Sequence, residues 1–469
     1  MRRKCATPKA FACVAASACL AASVALSGCA SPTASSVSSS TPAANRVEEI
    51  GRDIADLEVD VNTWNAFTAN STAAVFGDPE GMGADAALNN ACFSPASLYF
   101  ALALVAEGTD GQAQRQLLEL MGASDAEDLA SFCSTWMSKL EDPYGEDVFA
   151  GDDADGADDA DGTDGSLGDG GGGDDADGAD DADQVKIANS IWVNEGYSFI
   201  PEYLNVVESK LDASAFNVAF GTDAANAQIT KWISDETEGL LSPEFNTSSD
   251  DVAKLINTVY FKSAWADQFD SAATTDEPFH AYSGDTTAQM MHKSLDMAGY
   301  AQGGNFTASQ LGFSNGYTMS FFLPNDGVAA SDLLIETDTI QQLLGTQFES
   351  RPVDISLPKF TIDTSFDNLI EALRSLGVRD IFDASNASMF SKMIDSESGD
   401  FYISDAIQET HIGLDEDGVE AAAYTALGVK AAGILSEDEP IQFVLDRPFV
   451  YTIQSPDGVV LFIGTVGSI

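Results

Sequence analysis

Positive charge is scarce in this chain. Of 469 residues, 21 are Lys or Arg against 75 Asp or Glu, a formal net charge of -54 at pH 7. A phosphate backbone is bound by clustered cations, so nucleic acid is excluded as a partner, and an anionic lipid surface is disfavoured for the same reason. Histidine is scarcer still, with only His280, His292 and His411 available as general bases. Cysteine is nearly absent from the body, because Cys5, Cys13, Cys19 and Cys29 crowd the amino terminus and only Cys92 and Cys133 follow. Two cysteines build no disulfide framework and no metal-binding spacing; one bridge or two buried thiols both fit. Apolar residues, by contrast, are plentiful at 44% of the chain with 27 Phe, enough for a large core.

Catalysis finds little support. Gly312-Phe313-Ser314-Asn315-Gly316 matches the nucleophile-elbow pattern of hydrolases, which needs a strand before the serine and a helix after it. The residues that follow, YTMSFFLP, alternate as a strand instead, so Ser314 reads as part of a hairpin turn. Carboxylates are so numerous that finding two together points to nothing. The chain is read as a non-enzyme that needs no cofactor and no metal.

The amino terminus gives an address. Arg2, Arg3 and Lys4 precede an apolar run from Phe11 to Leu26, as in a secretory signal. The ending Leu26-Ser27-Gly28-Cys29 resembles a bacterial lipobox. That resemblance implies a signal peptide over 1–28, a lipid on Cys29 as the membrane attachment, and an exported lipoprotein on the cell surface. Residues 29–59 are expected to be a lipid-anchored tether, rich in Ser, Ala and Pro over 30–45, with an N-terminal extension after it. The body, 60–469, is interrupted by an acidic insertion at 145–184. Its heart, 152–183, has fourteen Asp and no Lys, Arg or aromatic residue. Such a stretch cannot offset its ordering entropy by burial and is expected to be disordered, which a fold tolerates because loop closure costs only logarithmically in length. The repeated Asp-Asp-Ala-Asp-Gly is a poor calcium loop, since Gly151, Ala157 and Gly173 fall on the first ligand positions. A solvated spacer, or an attractor of basic partner proteins, is the better reading.

Elsewhere the pattern is globular. Helices are expected within 46–76, from Leu98 to Gly108 with a left-handed cap at that glycine, over 112–121 closing at Gly122, and over 125–140, 200–212, 224–234 and 365–376. Strands are expected at Ile187–Val193, Leu255–Phe261 and Tyr317–Leu323, along one alternation from Asp354 to Ile362, and within Phe443–Val466. Strands and helices without regular alternation argue for an α+β domain with large sheets.

Three blocks carry a family likeness: NNACFSPASLYFALALVAEGTDGQAQRQL, LINTVYFKSAWADQF, and FVLDRPFVY with LFIGTV. In that order they resemble the serpins, over roughly 60–469 apart from the insertion. The resemblance implies large central β-sheets surrounded by helices, an exposed reactive-centre loop, and inhibition of serine proteases by a monomer.

The segment Glu416-Asp417-Gly418-Val419-Glu420-Ala421-Ala422-Ala423-Tyr424-Thr425 resembles the proximal hinge of inhibitory serpins. Its pattern can also be read directly. Side chains alternate along a strand, so Val419, Ala421, Ala423 and Thr425 share a small, mostly apolar face, while Glu420, Ala422 and Tyr424 share the other. A run of alanines without proline can enter a sheet without losing a ladder donor. Read alone, the same run equally suits an Ala-rich helix or loop. Other residues take roles by resemblance. Ser94, Ser97 and Asn257 match the family's shutter, with Gln408 where many relatives carry His. Trp265 matches the breach tryptophan, and Lys359 with Glu416 the breach ion pair.

Family spacing puts the scissile bond at Ala432-Gly433, suiting a small, elastase-like specificity pocket. Lys430 would imply a trypsin-like target and Leu435 a chymotrypsin-like one. A non-inhibitory serpin acting as a binding module is the alternative.

Overall fold

The computed structural model describes residues 61–77, 90–141, 183–366, 369–395, 400–420 and 439–469. The signal peptide, Cys29, the tether and the acidic insertion up to residue 182 lie outside the described residues, as do Ala421, Ala422, Ala423, Tyr424, Thr425, Lys430, Ala432, Gly433 and Leu435. Asp183 and Gln184, assigned above to the insertion, are described, and Gln184 already opens a strand.

Fifteen strands and eight α-helices follow in chain order among the described residues. The strands are β1 (Asn90–Phe93), β2 (Gln184–Asn194), β3 (Ser214–Val218), β4 (Ala253–Ala264), β5 (Thr275–Ala281), β6 (Gly284–Gln302), β7 (Phe306–Gly312), β8 (Thr318–Pro324), β9 (Glu349–Pro358), β10 (Phe360–Phe366), β11 (Asp405–Leu414), β12 (Gly418–Val419), β13 (Ile441–Val444), β14 (Phe449–Gln454) and β15 (Val460–Val466). The helices are α1 (Val61–Phe76), α2 (Pro95–Gly108), α3 (Gly111–Met121), α4 (Ala126–Glu141), α5 (Pro201–Ser209), α6 (Asp223–Glu236), α7 (Thr337–Leu344) and α8 (Ile370–Ser375). All belong to one unit, Leu57–Ile469.

Two sheets organise them. The larger has nine strands in the order β1-β15-β14-β8-β7-β6-β9-β13, with β5 on β6; the other has six, in the order β10-β11-β12-β4-β2-β3. Between the sheets lies α2, of whose fourteen residues thirteen are buried. A helix apolar all round must be covered on every side, and α2 packs on β15, β2 and β4. Ser94 caps it, accepting from Ser97 N at 3.2 Å, with Pro95 at the first helical position, where the missing N–H costs nothing.

The outer face of the six-stranded sheet carries a second core. There Ile229, Trp232 and Ile233 of α6 cover Ala188 and Trp192 of β2, Ile256 of β4 and Ile407 of β11. β4 is therefore buried on both faces, which explains its near-continuous apolar run.

Several expectations change. Gly108 ends α2, yet the cap is Thr109 in an extended conformation. The glycine answers to crowding instead, because a Cβ there would meet the Met393 side chain at 2.8 Å. The alternation from Asp354 to Ile362 is two strands in different sheets, β9 and β10, parting at Lys359. Helix α8 is shorter than 365–376, because Ser365 and Phe366 complete β10. α3 does close at Gly122, in the left-handed region with φ 67°. Cys92 and Cys133 are both free and buried. Burial pushes the Cys92 thiol up to about 12 and raises that of Cys133, so neither is a reactive thiolate.

Candidate functional site

In the six-stranded sheet β11 and β4 run parallel, paired from Asp405↔Lys254 to Thr410↔Val259. Beyond that point they part. The chain leaves β11 at Leu414, turns through Asp415-Glu416-Asp417, and returns into the gap as β12, antiparallel to both neighbours. Val419 sits opposite Leu414 on one side and Ser263 on the other, and Gly418 sits opposite Ala264. Two parallel strands with the start of an antiparallel one between them form a slot that the following residues can extend.

Local chemistry builds the turn. The Asp415 carboxylate accepts from the backbone N–H of Asp417 at 2.9 Å and of Gly418 at 3.3 Å, an Asx turn. Gly418 has φ 154° and lies so close to Ser263 O and Ala264 that a Cβ would collide with backbone. Trp265 braces the turn from below. Its Nε1 donates to Asp415 O at 3.0 Å, its backbone N donates to Asp417 O at 2.9 Å, and its ring stacks on Phe313 at 4.5 Å. Glu416 is tied by an ion pair to Lys359 and accepts from Thr274 Oγ1 at 2.6 Å. Burial pushes the Glu416 carboxyl up, but the hydrogen bonds from Lys359 and Thr274 with the lysine's charge outweigh it and hold the group below its ordinary value.

Where β11 and β4 are still joined, a buried polar cluster spans them. Gln408 Nε2 donates to Asn257 Oδ1 at 2.8 Å and to Ser94 O at 3.0 Å, while Gln408 Oε1 accepts from Ser94 N at 2.8 Å. Ser97 Oγ donates to Asn257 Oδ1 at 2.8 Å, and Asn257 Nδ2 donates to Ile407 O at 3.2 Å. All four residues are essentially inaccessible to solvent. Parting β11 from β4 strands these groups unless new partners arrive.

The structure thus brings Ser94, Ser97, Asn257 and Gln408 into one cluster and Trp265, Lys359, Glu416 and Gly418 into another about the turn. Sequence reasoning missed His411, whose Nε2 lies 2.8 Å from Glu420 Oε1 and whose Nδ1 meets Asp363. It also missed the ion pair of Lys254 with Asp405, which closes the foot of the β11–β4 ladder. Ser314 lies in the β7–β8 turn and bonds Asp183 at 2.8 Å, not a histidine. Among the described residues no group of His, Cys, Asp and Glu could hold a metal ion, and no helix is long and apolar enough to cross a membrane.

Beyond Thr410 and Val259, β11 and β4 thus part around a two-residue strand of the same chain. Residues 81–469 match the family model described as serpin (serine protease inhibitor). The chain belongs to the serpin family, whose members are typically protease inhibitors rather than enzymes and generally target serine proteases. It is similar to Serpin-ZX of Arabidopsis thaliana, 29% identical over 81% of this chain and 92% of that protein. It is also similar to leukocyte elastase inhibitor A of Mus musculus, 31% identical over 61% of this chain and 77% of that protein. Among solved structures, the thermophilic serpin tengpin in the native state matches with a TM-score of 0.69 at 25% identity, over 87% of this chain and 95% of that one. Human thyroxine-binding globulin shares the fold, with a TM-score of 0.68 at 20% identity over 87% and 99% of the two chains.

Proposed function

We propose that this chain inhibits serine proteases as a suicide substrate, and that the observation carrying the reading is β12 lodged between β11 and β4. The register supports continuation. Extended residue by residue, it sets Ala421 between Ile412 and Phe261, Ala423 between Thr410 and Val259, and Thr425 between Gln408 and Asn257, all on the buried face. Thr425 would then bring a hydroxyl to the polar cluster at the moment Gln408 and Asn257 are pulled apart. On the other face Ala422 comes between His411 and Tyr260, Ala426 between Ile407 and Ile256, and Gly428 between Asp405 and Lys254. The slot ends there, because β11 begins at Asp405 and β4 at Ala253.

In the reaction, the protease serine attacks the Ala432 carbonyl, the bond to the Gly433 nitrogen breaks, and Gly433 leaves as a free amine. The acyl group now sits on a loop whose new end is free to follow β12 into the sheet. From Val419 to Ala432 an extended chain spans on the order of 40 Å, which carries the attached protease to the far end of the sheet. Ala432 lies beyond the last slot position, as a residue bonded to a bulky enzyme must. An elastase-like target is supported by the small side chain of Ala432 and by the resemblance to leukocyte elastase inhibitors. Export and lipid attachment through Cys29 are part of the same reading, resting on the amino-terminal pattern, with the inhibitor acting as a monomer on the outer face of the cell.

The test is to mix the domain lacking residues 1–45 with an elastase and run a denaturing gel. A covalent complex stable in SDS, with release of a peptide beginning at Gly433, is expected. Cleavage without a complex would instead make the chain a substrate or a non-inhibitory binding module.

A further inference from the structure

Glu420 is the last described residue of the hinge, and its conformation is unusual. Its backbone N donates to Gly413 O at 3.1 Å, in register with β12, yet its φ is 53°, a left-handed value uncommon for a residue with a side chain. Its carboxylate is held by His411. Its Nε2 is 2.8 Å from Glu420 Oε1, and its Nδ1 faces Asp363 Oδ1 on β10. The carboxylate gets there across Gly413, where a Cβ would collide with Glu420 Oε1. Three neighbouring strands and one missing side chain thus converge on a single imidazole.

We propose that His411 is a positioning residue for the hinge: clasped as an imidazolium between Asp363 and Glu420, it holds Gly418–Glu420 between β11 and β4, and rising pH releases them. A neutral imidazole has one N–H and serves one carboxylate; the charged ring has two and serves both. Titratable groups stand on every element beside it. From β10 comes Asp363 and from the hinge Glu420. On the same face of β4 stand Tyr260 and Lys262, and on β11 itself Glu409, whose carboxylate accepts from Ser365 Oγ at 2.7 Å. The hydrogen bond to Glu420 raises the His411 pKa above its ordinary value against the opposing effect of burial, with Asp363 adding to the rise. A raised folded pKa means the clasp is complete below the ordinary histidine value and is lost as pH rises through the raised one. The consequence for inhibition, that loop presentation varies with pH, rests on the reading above; the clasp itself does not.

Hydrogen exchange on the full chain tests it without any protease, so failure here and failure of the inhibitor reading are distinguishable. Between pH 5.5 and pH 8.5 the protection of the hinge amides, corrected for intrinsic exchange and referred to residues 405–410, is expected to fall roughly tenfold, the worth of one charge-assisted hydrogen bond. In His411→Gln the protection should not vary with pH. Asp363→Asn, on an exposed side chain of an edge strand where folding is not at stake, should move the midpoint to lower pH. A flat wild-type profile, a pH dependence that survives in His411→Gln, or an unmoved midpoint in Asp363→Asn would each overturn the proposal.

Discussion

A glutamate at 421 and one at 422 differ by a single position and should have opposite fates. The register from Val419 puts residue 421 on the buried face, between Ile412 and Phe261, which are 1% and 2% exposed. Residue 422 falls on the outer face between His411 and Tyr260, above the region covered by α6. Residues 421 and 422 lie outside the described residues, so expression and urea unfolding of both variants are measured alongside as controls. During insertion, however, Ala421→Glu must take a carboxylate out of water with no partner. Even after the group protonates, that costs at least about 3 kcal/mol, or roughly a hundredfold in the balance between insertion and hydrolysis of the acyl-enzyme. Ala422→Glu comes beside the His411 imidazole, a hydrogen-bond partner for its carboxylate, and should cost only about 1 kcal/mol. The assay is the stoichiometry of inhibition, with the fraction of protease trapped on a denaturing gel. Ala421→Glu is expected to be cleaved as a substrate, and Ala422→Glu to stay within a few fold of wild type. A one-residue slip of register exchanges the faces of every side chain. Equal effects, or a worse Ala422→Glu, would therefore refute the insertion register.

Tolerance of the outer face should end lower in the sheet: Ala426→Glu would meet Ile256 and Ile407 beneath α6, so trapping should fail as it does for Ala421→Glu. Removing the amide in Gln408→Ala leaves Ser94 N and Asn257 Oδ1 with a lost partner in a solvent-free site, lowering native stability by about 2 kcal/mol in urea unfolding. Glu416→Gln should cost about 1 kcal/mol near neutral pH. Because the folded Glu416 pKa is depressed, that difference should persist above the ordinary value of 4.5 and vanish as pH falls through the folded value, read from urea midpoints at pH 3 to 7. Deleting 152–182, which spares Asp183 and its bond to Ser314, should slow association with a basic protease at low salt and flatten its salt dependence, measured by stopped flow; an unchanged slope would dismiss electrostatic steering.

How far the sequence foretells this site depends on whether the determinant is local. The α+β architecture follows from apolar periodicity, the buried α2 from an apolar run without a polar face, and the left-handed close of α3 at Gly122 from a glycine placed after the last periodic residue. Gly418 shows a determinant one step removed, since the need for glycine there comes from Ser263 O on another strand, 155 positions away in the chain, and no local pattern records that. The same holds for Lys359. In sequence it interrupts an alternation, and only the separation of β9 and β10 into different sheets explains why the chain bends there and directs a cation at Glu416. His411 was invisible for a subtler reason. Polar residues on the outer face of a strand are ordinary, and Asp363, Gly413 and Glu420 are each unremarkable alone. Their meaning arises when β10, β11 and β12 lie side by side and Gly413 leaves a gap for a carboxylate. Gln408 is the converse case. Its amide can donate and accept at once at any pH, so it completes the cluster of Ser94 and Asn257 without a titratable group. Proton sensitivity in this sheet therefore belongs three residues further along β11, at His411, where the moving strand begins rather than where the sheet is still closed.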